Sequence, residues 1–155
     1  MIPRYGKPPG RREYRRRPGI YAVLPRAGSV LLTHQDAPVP EFQLPGGGID
    51  AGEQPLSALT REVLEETGWT IARPRRVGVY RRFTFMPEYD VWAEKLCQVY
   101  IAHPVRRIGP PSEPGHTDVW MPLEEALSLL ASEGDRRLLA AAFGRTTNSR
   151  GPYGR

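Results

Sequence analysis

Glu62, Glu65 and Glu66 are the residues whose types and spacing can do chemistry. At about 100° per residue they fall within roughly 100° of one helix face. Pro55 suits a first helical turn and Gly68 suits the end of a helix, so the spacing predicts a helix over 55–67. Leu56, Leu59, Val63 and Leu64 take much of the opposite side, and Ala58 lies in the middle of the acidic arc. The expected helix therefore turns an apolar face inward and its carboxylates outward. Like charges at i,i+3 and i,i+4 cost about 0.2–0.5 kcal/mol per pair, and Arg61 offsets part of this by reaching Glu65 at i,i+4. Clustered carboxylate oxygens suit a hard divalent cation: Mg²⁺ keeps several waters and bridges one or two carboxylates to substrate phosphates. An ordinary solvated acidic face accounts for the three glutamates equally well.

The surrounding residues separate these readings. Residues 47–69 resemble the Nudix box, Gly-x5-Glu-x7-Arg-Glu-U-x-Glu-Glu-x-Gly-U, where U is bulky and apolar. Gly47, Glu53, Arg61, Glu62, Val63, Glu65, Glu66, Gly68 and Trp69 fill every defined position. A chance match in a chain of this size is on the order of one in a million. The resemblance is to the Nudix, or MutT-like, hydrolases. It implies an α/β/α sandwich with a mixed, curved sheet. It also implies an enzyme that cleaves a phosphoric anhydride bond in a diphosphate linked to another group, with Mg²⁺ or Mn²⁺ as cofactor. Glu62, Glu65 and Glu66 carry over as metal ligands, joined by the backbone carbonyl of Gly47. Glu53 carries over as a further acidic contributor and Arg61 as the residue that orients the glutamates. Trp69 is bulkier than the usual aliphatic closing residue.

The 155 residues fit one domain with a real core. The net charge of +5 is concentrated at the start: Arg4, Lys7, Arg11, Arg12, Arg15, Arg16 and Arg17 face Glu13 alone. With five prolines and glycines among these charges, residues 1–18 read as a flexible basic arm, 19–143 as the hydrolase domain and 144–155 as a flexible tail. The arm offers RNA a non-specific surface, although a solubilising extension explains it as well. Cys97 is the only cysteine, so no internal disulfide forms, and no apolar run has the length of a membrane span. A cytoplasmic protein is expected, with a small nucleotide as its partner and a homodimer left open.

Residues 20–24 and 29–33 read as strands of one hairpin, and 42–45 as a strand entering the glycine run 46–48. Residues 77–85 and 91–102 read as neighbouring strands across a turn. Arg81, Arg82, Phe83 and Tyr89 gather cations and aromatics on that hairpin, which suits phosphate contacts and base stacking; aromatics also simply favour sheets. A last strand at 118–121 leads into helices at 122–130 and 135–143.

Anhydride hydrolysis needs phosphoryl charge screened and a water deprotonated. Glu62 and Glu66 are the first candidates for general base. Glu113, in the loop before the last strand, is the second, and His116 is read as a substrate contact or structural residue. A nucleoside diphosphate derivative is the expected substrate class. The alternatives are an RNA 5′-pyrophosphohydrolase and a nucleotide-binding regulatory module without turnover. The intact box argues against the last, since a pure binder has no need of three ligating carboxylates.

Overall fold

The computed structural model of the chain describes residues 1–6 and 13–145. Arm residues 7–12 and tail residues 146–155 lie outside the described residues. In chain order the elements are β1 (Arg4–Tyr5), β2 (Arg15–Val23), β3 (Pro25–Arg26), β4 (Ser29–Gln35), β5 (Glu41–Gln43) and β6 (Gly46–Gly48). They continue with α1 (Pro55–Thr67), β7 (Trp69–Met86), β8 (Val91–Arg107), β9 (His116–Pro122), α2 (Leu123–Leu129) and α3 (Glu133–Ala142). The helix expected over 55–67 has those bounds.

One sheet runs β1-β7-β8-β2-β6 and mixes parallel with antiparallel pairs. A second sheet sets β3, β5 and β9 antiparallel to β4 or its ends. Register shifts interrupt the β7–β8 ladder near Thr70, Ala72 and Arg76, and such bulges bend and twist a strand pair. The helices cover opposite faces, and strand alternation decides which residues reach each. Ile20 and Ala22 of β2 and Leu31 of β4 pack with Ala58, Leu59 and Val63 of α1. Val23, Val30 and Leu32 pack instead with Leu123, Ala126 and Leu139 of α2 and α3. This is an α/β/α sandwich around a mixed, curved sheet. Each fully buried Val or Leu contributes about 1.5–3 kcal/mol to it.

Three expectations change. First, the hairpin expected between 20–24 and 29–33 shrinks to Pro25–Arg26 against Ser29–Val30. Ala27 and Gly28 both take positive φ, as a tight two-residue hairpin turn demands, while β2 pairs along its whole length with β8. Second, the basic segment is not a free arm at its described ends. Arg4 and Tyr5 pair with Arg81 and Arg82, and Arg15 to Pro18 pair with Ala93 to Leu96. Ladder hydrogen bonds come from the backbone, so arginine stems can lie along a strand while their heads stay in water. Third, the helix does not present its acids to open solvent. Leu56 is 44% exposed, while Ala58 is buried and Glu66 is only 6% exposed. The glycine strand β6 packs over that side of α1 and covers it.

Trp69, the unusual closing residue of the box, is buried edge-on against Trp120 with ring centroids 5.4 Å apart. Gly68 ends α1 in the left-handed conformation at φ 77°, its N–H donating to the Leu64 carbonyl. A Cβ there would lie 1.9 Å from the Gly109 carbonyl oxygen. Backbone bonds from Ile108 to Gly68 and from Ser112 and Glu113 to Glu65 fasten the same loop to the helix end. Gly68→Ala should therefore destabilise the chain by more than the roughly 1–2 kcal/mol of left-handed strain alone, read as a lower urea midpoint with an unchanged slope.

Candidate active site

Arg61 sits at the centre of the acidic cluster. Its Nε and one terminal nitrogen donate to the two carboxylate oxygens of Glu53 at 2.8 and 2.9 Å, a two-pronged pair. The other terminal nitrogen donates to Glu62 at 3.0 Å and to Glu65 at 3.3 Å. The Gly48 carbonyl accepts a further bond at 3.3 Å, and Asp50 lies 3.7 Å away. One planar guanidinium thus fixes three carboxylates from two segments. Hydrogen bonds from Arg61 and from the Asp50 amide hold the Glu53 carboxyl down at about 2. Arg61 itself is held more firmly protonated, chiefly by Glu53.

Glu66 takes the opposite environment. The Gly46 amide donates to it at 3.1 Å, and His116 Nδ1 lies 3.9 Å from its other oxygen. Burial pushes its carboxyl well above the usual range; the Gly46 bond works against this, and the charges of Glu62, Glu113 and Glu65 add to it. Burial also raises Glu62, with Arg61 opposing. Gly46 and Gly47 explain why glycine is required here. A Cβ on Gly46 would lie 2.1 Å from the Ile20 carbonyl oxygen, and one on Gly47 would lie 2.6 Å from the Glu62 carboxylate.

Beside this cluster opens a cavity of about 720 Å³. Glu62, Glu66 and Gly47 line one end, and Arg82 and Tyr89 line another part of the wall. Arg81 and Phe83 do not line it. Strand alternation points them to the other face, where Arg81 lies 3.5 Å from Glu94 and Phe83 stacks edge-on with Tyr14. Glu65 and Glu113 also stand outside the lining: Glu65 is drawn to Arg61, and Glu113 is tethered by its backbone to the end of α1. Glu113 still acts at a distance, raising Glu62 and Glu66.

Sequence reasoning missed several lining residues. Arg15, Arg17 and Lys95 enter from strands it had read as arm or plain sheet. Tyr80 and Asp135 belong to a buried network in which the Tyr80 hydroxyl donates to Asp135 at 2.5 Å and lies 3.1 Å from the Ser132 hydroxyl. Ser132 caps α3 by accepting from the Asp135 amide. The Ser-x-x-Asp spacing was the available signal for that cap. His116, bonded to Thr33 at 2.9 Å, was read as a contact or structural residue and lines the cavity next to Glu66.

The Nudix resemblance implies a metal, and the donor set fits one. Gly47, Glu62, Glu65 and Glu66 offer only oxygen, which suits a hard cation. Among the described residues no three His, Cys, Asp or Glu side chains converge as a ready-made cage. Arg61 accounts for this by holding two of the carboxylates, and a cation that keeps its own waters needs only one or two.

The burial of Glu66 has a pH signature. Because its folded value is raised above 4.5, stability from the neutral form is complete below pH 4.5 and is lost as pH rises through the folded value. With metal chelated, Glu66→Gln should therefore melt close to the original chain at pH 4.5 and above it at pH 8, since glutamine keeps an acceptor for Gly46 without a charge. A melting difference that fails to grow with pH would contradict this account.

The NUDIX domain family model matches residues 13–142. An RNA pyrophosphohydrolase of Cereibacter sphaeroides is 46% identical over 92 residues, 54% of this chain and 55% of that protein. A Bacillus subtilis (strain 168) protein named "Putative 8-oxo-dGTP diphosphatase" is 37% identical over 74 residues, 48% of this chain and 50% of its own length. The chain thus spans about half the length of these curated relatives. A solved NUDIX hydrolase from Nitrosomonas europaea superposes with a TM-score of 0.69 at 18% identity, covering 85% of this chain and 93% of that one, a likeness of fold alone. A complete box on the expected helix, and a family match running from the arginines of β2 to the end of α3, show that the chain belongs to the NUDIX domain family.

Proposed function

We propose that the chain is a metal-dependent hydrolase that cleaves the diphosphate linkage of a nucleoside diphosphate derivative. The observation that carries this reading is the shared cavity: carboxylates of α1 line one end, and cations of β2, β7 and β8 line its wall. Nudix hydrolases generally use divalent metal ions, and Mg²⁺ or Mn²⁺ suits the oxygen donors here. When bound, such an ion screens phosphoryl charge and makes water more acidic.

The protein's own residues supply the rest. Gly47, Glu62, Glu65 and Glu66 are the proposed ligands, and Arg61 and Glu53 hold them in place. A raised carboxyl accepts a proton more readily than an ordinary one, so Glu62 and Glu66 are the proposed candidates for general base. Glu113, outside the lining, is proposed to act only through its field. Arg82 and Tyr89 are proposed substrate contacts. His116, held by Thr33, is placed to brace Glu66 against displacement.

A second reading, hydrolysis at a 5′-triphosphorylated RNA end, has its own observation. Arg15 and Arg17 do not hang free of the domain but line this cavity. The name of the Cereibacter relative points the same way.

Mg²⁺-dependent formation of phosphate-containing products should be assayed on nucleoside diphosphate derivatives, dinucleoside polyphosphates and 5′-triphosphorylated RNA. Chelation should abolish it. Glu65→Gln and Glu66→Gln should each lower kcat by about 10²-fold or more with the fold intact by circular dichroism. Near-normal turnover in both variants would overturn the assignment.

A further inference from the structure

One ring nitrogen at the acidic end of the cavity has no task in the fold. His116 opens β9, and its backbone is held in place: it stands in register with Gln35 of β4, and the Gly115 carbonyl just before it accepts from the Asp36 amide. The ring lines the cavity, with Nδ1 2.9 Å from the Thr33 hydroxyl and 3.9 Å from a Glu66 oxygen. The second distance is beyond hydrogen-bond reach, so Thr33 and not Glu66 decides what Nδ1 does.

The tautomer follows from burial. Thr33 is fully buried, and among the described residues Nδ1 is the one hydrogen-bond partner of its hydroxyl. A buried polar hydrogen left without an acceptor costs about 1–3 kcal/mol. A proton on Nδ1 would create that defect, because Thr33 would have to accept and its own hydrogen would be stranded. The hydroxyl therefore donates to Nδ1, and the ring carries its proton on Nε2. Burial lowers the affinity of His116 for a second proton, with the charges of Glu113 and Asp36 opposing. A cationic ring would carry the Nε2 proton all the same. Among the described residues Nε2 has no protein partner and is not sealed in, so it opens into the cavity that the ring lines. The donors that touch the neighbouring carboxylates, Arg61 and the Gly46 amide, are already spent on them. Nε2–H is not.

We propose that His116 is a catalytic residue whose Nε2–H donates to a phosphoryl oxygen of the substrate's diphosphate, with Thr33 as the positioning residue that keeps the proton on that nitrogen. This rests on the hydrolase reading given above. As water adds to phosphorus, the anhydride P–O bond breaks and its electron pair leaves with the departing phosphate. Negative charge grows on the phosphoryl oxygens, and a fixed donor binds them more strongly than it binds the ground state. The proton stays on Nε2 throughout, so the step gains a hydrogen bond and transfers nothing. The carboxylates of α1 cannot take this part, since an ionised carboxylate only accepts. Contact with Glu66 uses the Nδ1 edge of the ring, and the proposed contact uses the other.

Two substitutions separate the two edges of the ring. His116→Asn puts an amide where Nδ1 stands, so it keeps the Thr33 bond and the contact with Glu66 but loses the donor at Nε2. His116→Gln does the converse. On a substrate turned over with Mg²⁺, His116→Asn should lower kcat by about 10²-fold with little change in KM, and His116→Gln should recover about tenfold of that loss. Thr33→Val should lower kcat by about tenfold, and Thr33→Ser should restore it. An asparagine variant as active as the glutamine variant, which bracing of Glu66 alone predicts, overturns the donor. Nitrogen-15 NMR of the chelated protein at pH 8 should show Nε2 protonated and Nδ1 bare, with the two resonances moving toward a tautomer average in Thr33→Val. A ring protonated on Nδ1 overturns the role of Thr33. Absence of turnover on every substrate overturns the hydrolase reading instead. The contact is then decided by NMR with Mg²⁺ and methylenediphosphonate, a non-hydrolysable diphosphate. The Nε2–H proton should move downfield beyond the shift that Mg²⁺ alone produces, and an unmoved resonance overturns the contact.

Discussion

The fork of Arg61 is the interaction on which the acidic site depends. Without it Glu53, Glu62 and Glu65 would be three carboxylates crowded at the mouth of one loop and one helix. With it, the loop after β6 and the second half of α1 are tied together through a single planar cation. A lysine could supply the charge but not the geometry, since its ammonium cannot grip both oxygens of Glu53 while reaching Glu62. The hub also divides labour among the acids. Those it touches are held ionised or kept in place, while Glu66, which it does not touch, is left to the Gly46 amide and the low-dielectric interior.

That division requires glycine in β6. The strand runs close over α1, with a Cβ on Gly46 or Gly47 excluded by neighbouring backbone and by the Glu62 carboxylate. The close approach buries Glu66, and its burial raises its proton affinity. Packing thus sets the electrostatics here: the backbone conformation comes first, and the pKa shift follows from it.

Much of this was legible in the sequence, and the reasons it was legible are local. The bounds of α1 follow from Pro55, Gly68 and an apolar period of 3.6. The pairing of Arg61 with Glu65 follows from i,i+4 spacing. The neighbouring strands β7 and β8 follow from a short turn between two β-type runs. What was not legible depends on sequence-distant pairing. Nothing near Arg15 announces that it will lie beside Ala93, and a string of arginines, prolines and glycines reads locally as an arm. The choice between Arg81 and Arg82 as a cavity residue is likewise fixed by which face of β7 meets α3, a fact that Leu138 and Asp135 decide from more than 50 residues away. Glu66 read as exposed because the helix alone does not show that β6 will cover it.

Register then becomes the constraint that gives the site two ends. Ile20 stands opposite both Gly47 and Gln98, so the acidic end and the β8 ladder are indexed to one residue of β2. Counting back from it, Gly19, Pro18, Arg17, Arg16 and Arg15 all line the cavity. A slip of one residue would put the hydrophobic residues of β2 on the wrong sides of the sheet. The same two cores that hold the fold therefore forbid that slip. The position of the cations relative to the carboxylates is guaranteed not by any contact between them but by Ile20 and Ala22 packing on α1 and Val23 packing beneath α2 and α3.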